Sequence, residues 1–190
     1  MGTSHRRPGA PERVALTGTP GTGKSSVGRR IAVRFPVVEV GDLALAQGLG
    51  RRTRSGVQVD LPALARWMRR KRPDAGDLVV VGHLSHLLPI SDVVVLRCRP
   101  DVLVRRLRSA RRGTARDRRE NYLAEALDIV VAEAVGLGRR VWEVDTTGRS
   151  AASVAKEVEE LILRRPGPRF GAVDWLSHPR VAAHLLDPPA

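Results

Sequence analysis

The chain has 190 residues, with 33 Lys and Arg against 20 acids, a formal net charge of +13 and one cysteine, Cys98. That length suits one domain with a real core. The single cysteine excludes an internal disulfide, and no apolar run reaches the length of a membrane span. The charge favours anionic partners such as nucleotides, RNA or acidic surfaces, although a general arginine bias on solvated helix faces gives the same balance. Lysine occurs only at 24, 71 and 156, so the positive charge is almost all guanidinium, which binds phosphate in a planar, bidentate way.

Residues 1–12 are polar, carry Pro8 and Pro11, and lack the apolar stretch of a secretory signal. They read as a flexible lead, and a cytoplasmic location is expected. Val14 to Thr17 reads as a short buried strand. Gly18-Thr-Pro-Gly-Thr-Gly-Lys-Ser25 follows and fits G-x-x-x-x-G-K-[ST], the phosphate-binding loop. Its glycines let the backbone turn tightly with N–H groups inward, and the following helix adds its N-terminus to that anion site. Lys24 brings a charge to the phosphates, and the Ser25 hydroxyl suits Mg²⁺. Ser26 to Phe35 has helical periodicity in Val27, Ile31 and Phe35.

Pro36 to Val40 predicts a second strand. Asp42 is expected to cap a short helix over Leu43 to Gln47, and residues 48–59, with Arg51, Arg52 and Arg54, read as a mobile loop. Asp60 caps a helix with Leu61, Leu64, Ala65 and Met68 on one face. Pro73 to Gly76 is a turn. Leu78 to Val81 and Asp92 to Leu96 are further strands, the first ending at Gly82-His83. Cys98, just after an apolar strand, reads as a buried structural thiol. Pro100 and Asp101 open a helix through Leu103 and Leu107, residues 108–119 are arginine-dense, and a long helix is expected from Asn121 to Val135. Arg140 to Val144 is the fifth strand, Asp145 to Gly148 a polar turn, and Ala151 to Leu163 the last core helix. Composition shifts near residue 166, dividing the chain into a lead (1–12), a nucleotide-binding domain (13–165) and a C-terminal extension (166–190), whose Trp175 and Leu176 could dock on the body or on a partner.

Continuous Val/Leu runs alternating with helices predict an α/β fold: a P-loop NTPase with a five-stranded parallel sheet flanked by helices. Ligands in such sheets bind beyond the carboxyl ends of the strands, where the P-loop, Gly41-Asp42, Gly82-His83 and residues 145–148 all fall. The fold alone does not fix the substrate. The absence of an N-K-x-D segment argues against a GTPase.

Five segments then carry a resemblance: Leu16 to Ser25, Val38-Glu-Val-Gly-Asp-Leu-Ala44, Gly82-His-Leu-Ser-His-Leu-Leu-Pro89, Leu96-Arg-Cys-Arg-Pro-Asp101 and Val144-Asp-Thr-Thr-Gly-Arg-Ser150. In this order, over roughly residues 13–163, the chain resembles the atypical adenylate kinases of archaea and eukaryotic nuclei, whose members double as small-ribosomal-subunit assembly ATPases. The resemblance implies a nucleoside monophosphate kinase that takes ATP and a monophosphate, AMP favoured, with Mg²⁺, an NMP-binding part and a short arginine-bearing lid. It implies that Gly21, Gly23, Lys24, Ser25 and Ser26 hold ATP phosphates and magnesium. Gly41 and Asp42 would begin the monophosphate segment, Arg112 would close on the phosphates, and Arg149 would lie near the adenine. His83 corresponds to the histidine of an acid-x-His signature linked to ATP hydrolysis. A small-subunit platform protein of the S-eleven family and pre-rRNA are the partners it implies, with a role in ribosome biogenesis and rRNA processing.

The chain departs from that signature at Val81, where an acid is expected. Asp42 or Asp77 could substitute, the enzyme could be slow, or ATP could serve as a switch; retained but weakened transfer, by about 10–100-fold, is the expectation. Arg105, Arg106, Arg111 and Arg112 also fit a solvated basic helix end, and both His83 and His86 fit hydrogen-bonded structural histidines. The alternatives are a catalytically weak ribosome-assembly switch and a small-metabolite kinase of shikimate or gluconate type.

Overall fold

The computed structural model describes residues 12–53, 56–71 and 77–189. Five strands, β1 (Arg13–Thr17), β2 (Val37–Glu39), β5 (Leu78–Val81), β6 (Asp92–Arg97) and β7 (Arg140–Asp145), form one parallel sheet in the order β2-β5-β1-β6-β7. The runs Leu78-Val-Val-Val81 and Asp92-Val-Val-Val-Leu96 are buried on both faces, as continuous apolar strands of a covered parallel sheet must be. On one face Val14, Leu16, Val81 and Val94 meet Val27 and Ile31 of α1 (Lys24–Ile31) and Val154, Val158 and Ile162 of α7 (Ala151–Arg164). On the other, Ala15, Val80, Val93 and Val95 meet α2 (Val40–Ala46), α3 (Leu61–Arg70) and α6 (Ile129–Gly136). Every αβ connection therefore returns the chain to the same sheet direction, and all carboxyl strand ends share one edge.

Several local expectations are corrected. Residues 48–59 are not simply a loop: β3 (Gly50–Thr53) and β4 (Gly56–Val59) pair antiparallel, Gly50 opposite Val59. Val57 and Val59 alternate with Gln58, and this period of two supports a hairpin that lies on α2. Helix α2 begins at Val40 rather than Leu43, so Asp42 lies in its first turn and does not cap it. Asp60 does cap α3, its Oδ1 accepting from Ala63 N at 2.9 Å.

The arginine-dense stretch divides between α4 (Pro100–Ser109), a connection at residues 110–114, and α5 (Ala115–Ala126). A capping box starts α5: Thr114 accepts from Asp117 N, and Asp117 accepts from Thr114 N. The single long helix expected over 121–135 is two helices, because Asp128 takes φ 55° and breaks the ladder between α5 and α6.

In the extension, Trp175 and Val181 are buried against Val104, Tyr122 and Ala126, whereas Leu176 stays exposed. The Tyr122 hydroxyl donates to Val181 O at 3.1 Å. Residues 1–11, Arg54 and the turn expected at 73–76 lie outside the described residues. Among the described residues no helix is long and apolar enough to cross a membrane.

Candidate functional site

The carboxyl edge of the sheet opens into a cleft of about 710 Å³. The loop between β1 and α1 forms its floor. At Gly18 the backbone takes φ 135°, and a Cβ there would come 2.3 Å from Leu96 O. Gly23 caps α1 in the left-handed region at φ 98°, which leaves the first helical N–H groups facing the cleft. Thr22 closes the turn by donating its hydroxyl to Thr19 O at 2.9 Å.

Lys24 folds back over this loop. Its Nζ donates to Gly18 O at 2.6 Å and Thr19 O at 3.0 Å. Desolvation by the crowded loop lowers its pKa to about 8, against the raising influence of Glu125 and Glu39, while Arg112 lowers it further. The amine is thus mostly charged at neutral pH, poorly solvated, and held by two carbonyls.

Beneath the loop sits a group that motif reading missed. Glu125, on α5, is 2% exposed. It accepts from Thr19 Oγ1 at 2.6 Å, Arg97 Nε at 2.8 Å, Cys98 N at 3.0 Å and Trp175 Nε1 at 3.2 Å. Arg97 is itself buried and also pairs with Glu143 and Asp128. Burial pushes the Glu125 carboxyl upward, and Arg97 and its hydrogen bonds pull against that. The sequence carried no signal for it, because α5 has almost no apolar periodicity from which a buried face could be read.

The opposite wall carries cations. Arg106, Arg112 and Arg149 all line the cleft. Arg106 donates to Thr146 Oγ1 at 3.0 Å and Thr146 O at 2.7 Å. Arg149 donates to Asp145 O at 3.0 Å and pairs with Glu157 at 2.7 Å. The Arg112 guanidinium is exposed and takes no hydrogen bond or ion pair from the described residues. Arg111 beside it has no side-chain partner among the described residues either, but only Arg112 of the two lines the cleft, on the five-residue connection between α4 and α5.

His83 lines the cleft just past β5. Its ring reaches solvent, yet crowding by cleft atoms, with Lys24 and His86, lowers its pKa and keeps it neutral at pH 7. His86 is fully buried, its Nδ1 3.0 Å from Thr17 Oγ1 and its Nε2 2.9 Å from Glu133 Oε2. Cys98 is buried, and desolvation pushes its thiol up to about 11, which leaves no thiolate at neutral pH.

Thus Gly21, Gly23, Lys24, Ser25, Ser26, His83, Arg112 and Arg149 surround one cleft, joined by Glu39, Arg106 and Thr146. Gly41 and Asp42 stand outside its lining. Gly41 faces Val57 of the hairpin, and Asp42 is exposed on α2. Asp77 cannot stand in for an acid at 81. It lies at the amino end of β5, where it accepts from Glu12 N at 3.2 Å and pairs with Arg165 at 2.8 Å. A strand of this length separates it from the cleft by roughly 13 Å.

Comparison with known proteins bears on the fold and the family. A family profile described as "AAA domain" matches residues 14–128. The "Putative adenylate kinase" of Thermococcus onnurineus (strain NA1) is 37% identical over 176 residues, 91% of this chain and 97% of that protein. The protein of the same name from Archaeoglobus fulgidus is 41% identical over 170 residues, 86% of this chain and 92% of that one. Among solved structures, a shikimate kinase from Acinetobacter baumannii superposes with a TM-score of 0.53 at 14% identity, over 82% of this chain and 94% of that one. A gluconokinase from Sinorhizobium meliloti 1021 gives 0.51 at 22% identity, over 84% and 95%. The two structures share the P-loop kinase fold alone, whereas identity to the archaeal proteins extends over most of both chains, and this chain belongs to the family of those archaeal "Putative adenylate kinase" proteins.

Proposed function

We propose that the protein is a nucleoside monophosphate kinase that converts ATP and AMP to two ADP in the cytoplasm, with a side ATPase activity. The observation that carries this is the opposition, across one cleft, of an amide-lined loop holding Lys24 and an uncommitted arginine, Arg112. A γ-phosphoryl group needs to be positioned and neutralised more than it needs a covalent partner. Gly21, Gly23 and Lys24 would cradle the β- and γ-phosphates. Arg112 would swing onto the transferring group as its bond to the ADP oxygen breaks and a bond to a monophosphate oxygen forms. Arg149 would flank the adenine.

The monophosphate would enter from the side of α2 and the β3–β4 hairpin, with Gly41 and Asp42 at the start of that segment. His83, held neutral, could accept a proton from an attacking water in the ATPase reaction. Ser25 and a carboxylate in the cleft are hard oxygen donors that fit Mg²⁺, which supplies charge neutralisation on the phosphates when bound. Residues 13–165 form the kinase core in this reading, and 166–190 an extension seated on α5.

A coupled assay for ADP from ATP plus AMP tests the reading. Turnover equal to that of Lys24→Ala would refute it, and transfer to a polyol acid instead would indicate a metabolite kinase. A second role, as an ATP-dependent factor in small-subunit ribosome and pre-rRNA maturation, is supported by the charge of +13 and the missing acid at Val81. It predicts ATP-sensitive capture of a small-subunit protein of the S-eleven family.

A further inference from the structure

Position 81, where the signature has an acid, is core in this chain. Val81 is 0% exposed, and a Cβ on Gly28 of α1 would come 3.1 Å from Val81 Cγ2. The carboxyl end of β5 therefore offers Ser25 no carboxylate. One strand further out, β2 ends at Glu39, in register with Val81.

Strand residues alternate between faces, so Glu39 shares a face with Val37. Val37 lies under α1 as Val81 does, its Cγ1 3.7 Å from the same Gly28 position. Glu39 is thus carried on the α1 side of the sheet, beside Val81. Unlike Val81 it is partly exposed and lines the cleft with Lys24 and Ser25. Its carboxylate takes no hydrogen bond or ion pair from the described residues.

Resting on the nucleotide-kinase reading above, we propose that Glu39 supplies the carboxylate that position 81 lacks, accepting hydrogen bonds from the waters of a magnesium ion carried on the nucleotide phosphates beside Ser25. The reach is consistent. Adjacent strands lie about 4.8 Å apart. Glutamate extends roughly 1.5 Å further than aspartate, one carbon–carbon bond. The remaining gap of about 3 Å is one hydrogen-bonded water.

The donor set also suits the metal. Mg²⁺ keeps several waters and is held by one or two carboxylates plus substrate phosphates, not by an all-protein cage. Glu39 is also near enough to Lys24 to oppose the desolvation of its amine. The two charges therefore act on the same phosphate-binding end of the cleft.

The test is equilibrium binding of a fluorescent ATP analogue to the full chain, titrated with Mg²⁺, for wild type, Glu39→Gln, Glu39→Asp and Lys24→Ala. Glu39→Gln removes a negative charge that faces the phosphates, so its metal-free nucleotide binding should equal or exceed that of wild type. Its half-saturating Mg²⁺ should rise about 10–100-fold, the usual cost of losing an outer-sphere partner. Glu39→Asp should fall between. Mn²⁺ followed by water-proton relaxation should show the same ranking without any turnover.

Unchanged metal half-saturation in Glu39→Gln, with an unaltered melting curve, overturns the proposal. A raised KM for the monophosphate with unchanged metal dependence overturns it too, and assigns Glu39 to the second substrate. If wild type shows no saturable binding of magnesium-nucleotide, the kinase reading itself fails. If wild type binds and Lys24→Ala does not, the outcome for Glu39→Gln bears on Glu39 alone.

Discussion

Replacing Glu125 with alanine tests how the phosphate-binding loop is held in place. The carboxylate is 2% exposed and satisfies four donors, from Thr19, Arg97, Cys98 and Trp175. Breaking a buried ion pair by removing one partner costs about 3–5 kcal/mol. Each neutral donor left without an acceptor adds about 1–3 kcal/mol. These costs do not sum, because Arg97 keeps Glu143 and Asp128 and water can enter the space. A net loss of about 4 kcal/mol is expected, a large share of the 5–15 kcal/mol by which domains are typically stable.

Glu125→Gln keeps an acceptor for Arg97 and Cys98, and the Thr19 hydroxyl can turn to accept from the new amide. It should cost about 1–2 kcal/mol. Urea unfolding followed by tryptophan fluorescence gives both numbers, since Trp142 and Trp175 are buried. Nucleotide affinity should fall in the same order, because Thr19 belongs to the loop. An alanine variant within about 1 kcal/mol of wild type, the range of ordinary substitutions, would refute the claim that this carboxylate anchors the loop.

Gly18→Ala should abolish nucleotide binding, since its Cβ would meet Leu96 O at 2.3 Å with φ at 135°; analogue binding by fluorescence reads this directly. Trp175→Ala should destabilise the chain by about 3–5 kcal/mol as a buried aromatic is lost, measurable by urea unfolding. Lys24→Met should raise the melting temperature at pH 7. The folded-state pKa of about 8 lies below the ordinary lysine value of 10.5, so the unfolded chain binds more protons between these values. The penalty from Lys24 is present below pH 8 and relieved as pH rises to 10.5, and the advantage of the methionine variant should vanish over that interval. Val81→Asp should raise turnover in a Glu39→Gln background while lowering the melting temperature, because it places a carboxylate at a 0% exposed site; unchanged turnover there would mean that position 81 no longer reaches the nucleotide.

What the sequence made legible was what neighbouring residues determine. Gly18 to Ser25 could be read because every element of that loop is contiguous, and the strands because uninterrupted valine runs need two covered faces. The paired strands Gly50–Thr53 and Gly56–Val59 escaped because their alternation is only Val57-Gln-Val59 amid polar residues. The break at Asp128 escaped because apolar spacing continues across it, and only the backbone angle reveals it. Glu125 was beyond reach for a different reason. Its partner Thr19 is 106 residues away, and no periodicity reports a hydrogen bond across that separation.

The same limit bears on Val81. Read along the chain, an acid was missing from a motif, and the replacements that sequence offered were Asp42 and Asp77. Asp77 is four residues from Val81 along the strand but at the wrong end of the sheet, tied to Arg165. Glu39 is far from Val81 in sequence yet directly beside it in the ladder. In a parallel sheet the functional neighbours of a strand's last residue are the last residues of the adjoining strands, because all of them open onto one edge. A charge required at that edge can thus migrate between strands while the valine it leaves behind joins the core. Compensation of this kind is visible only once strand order and register are known.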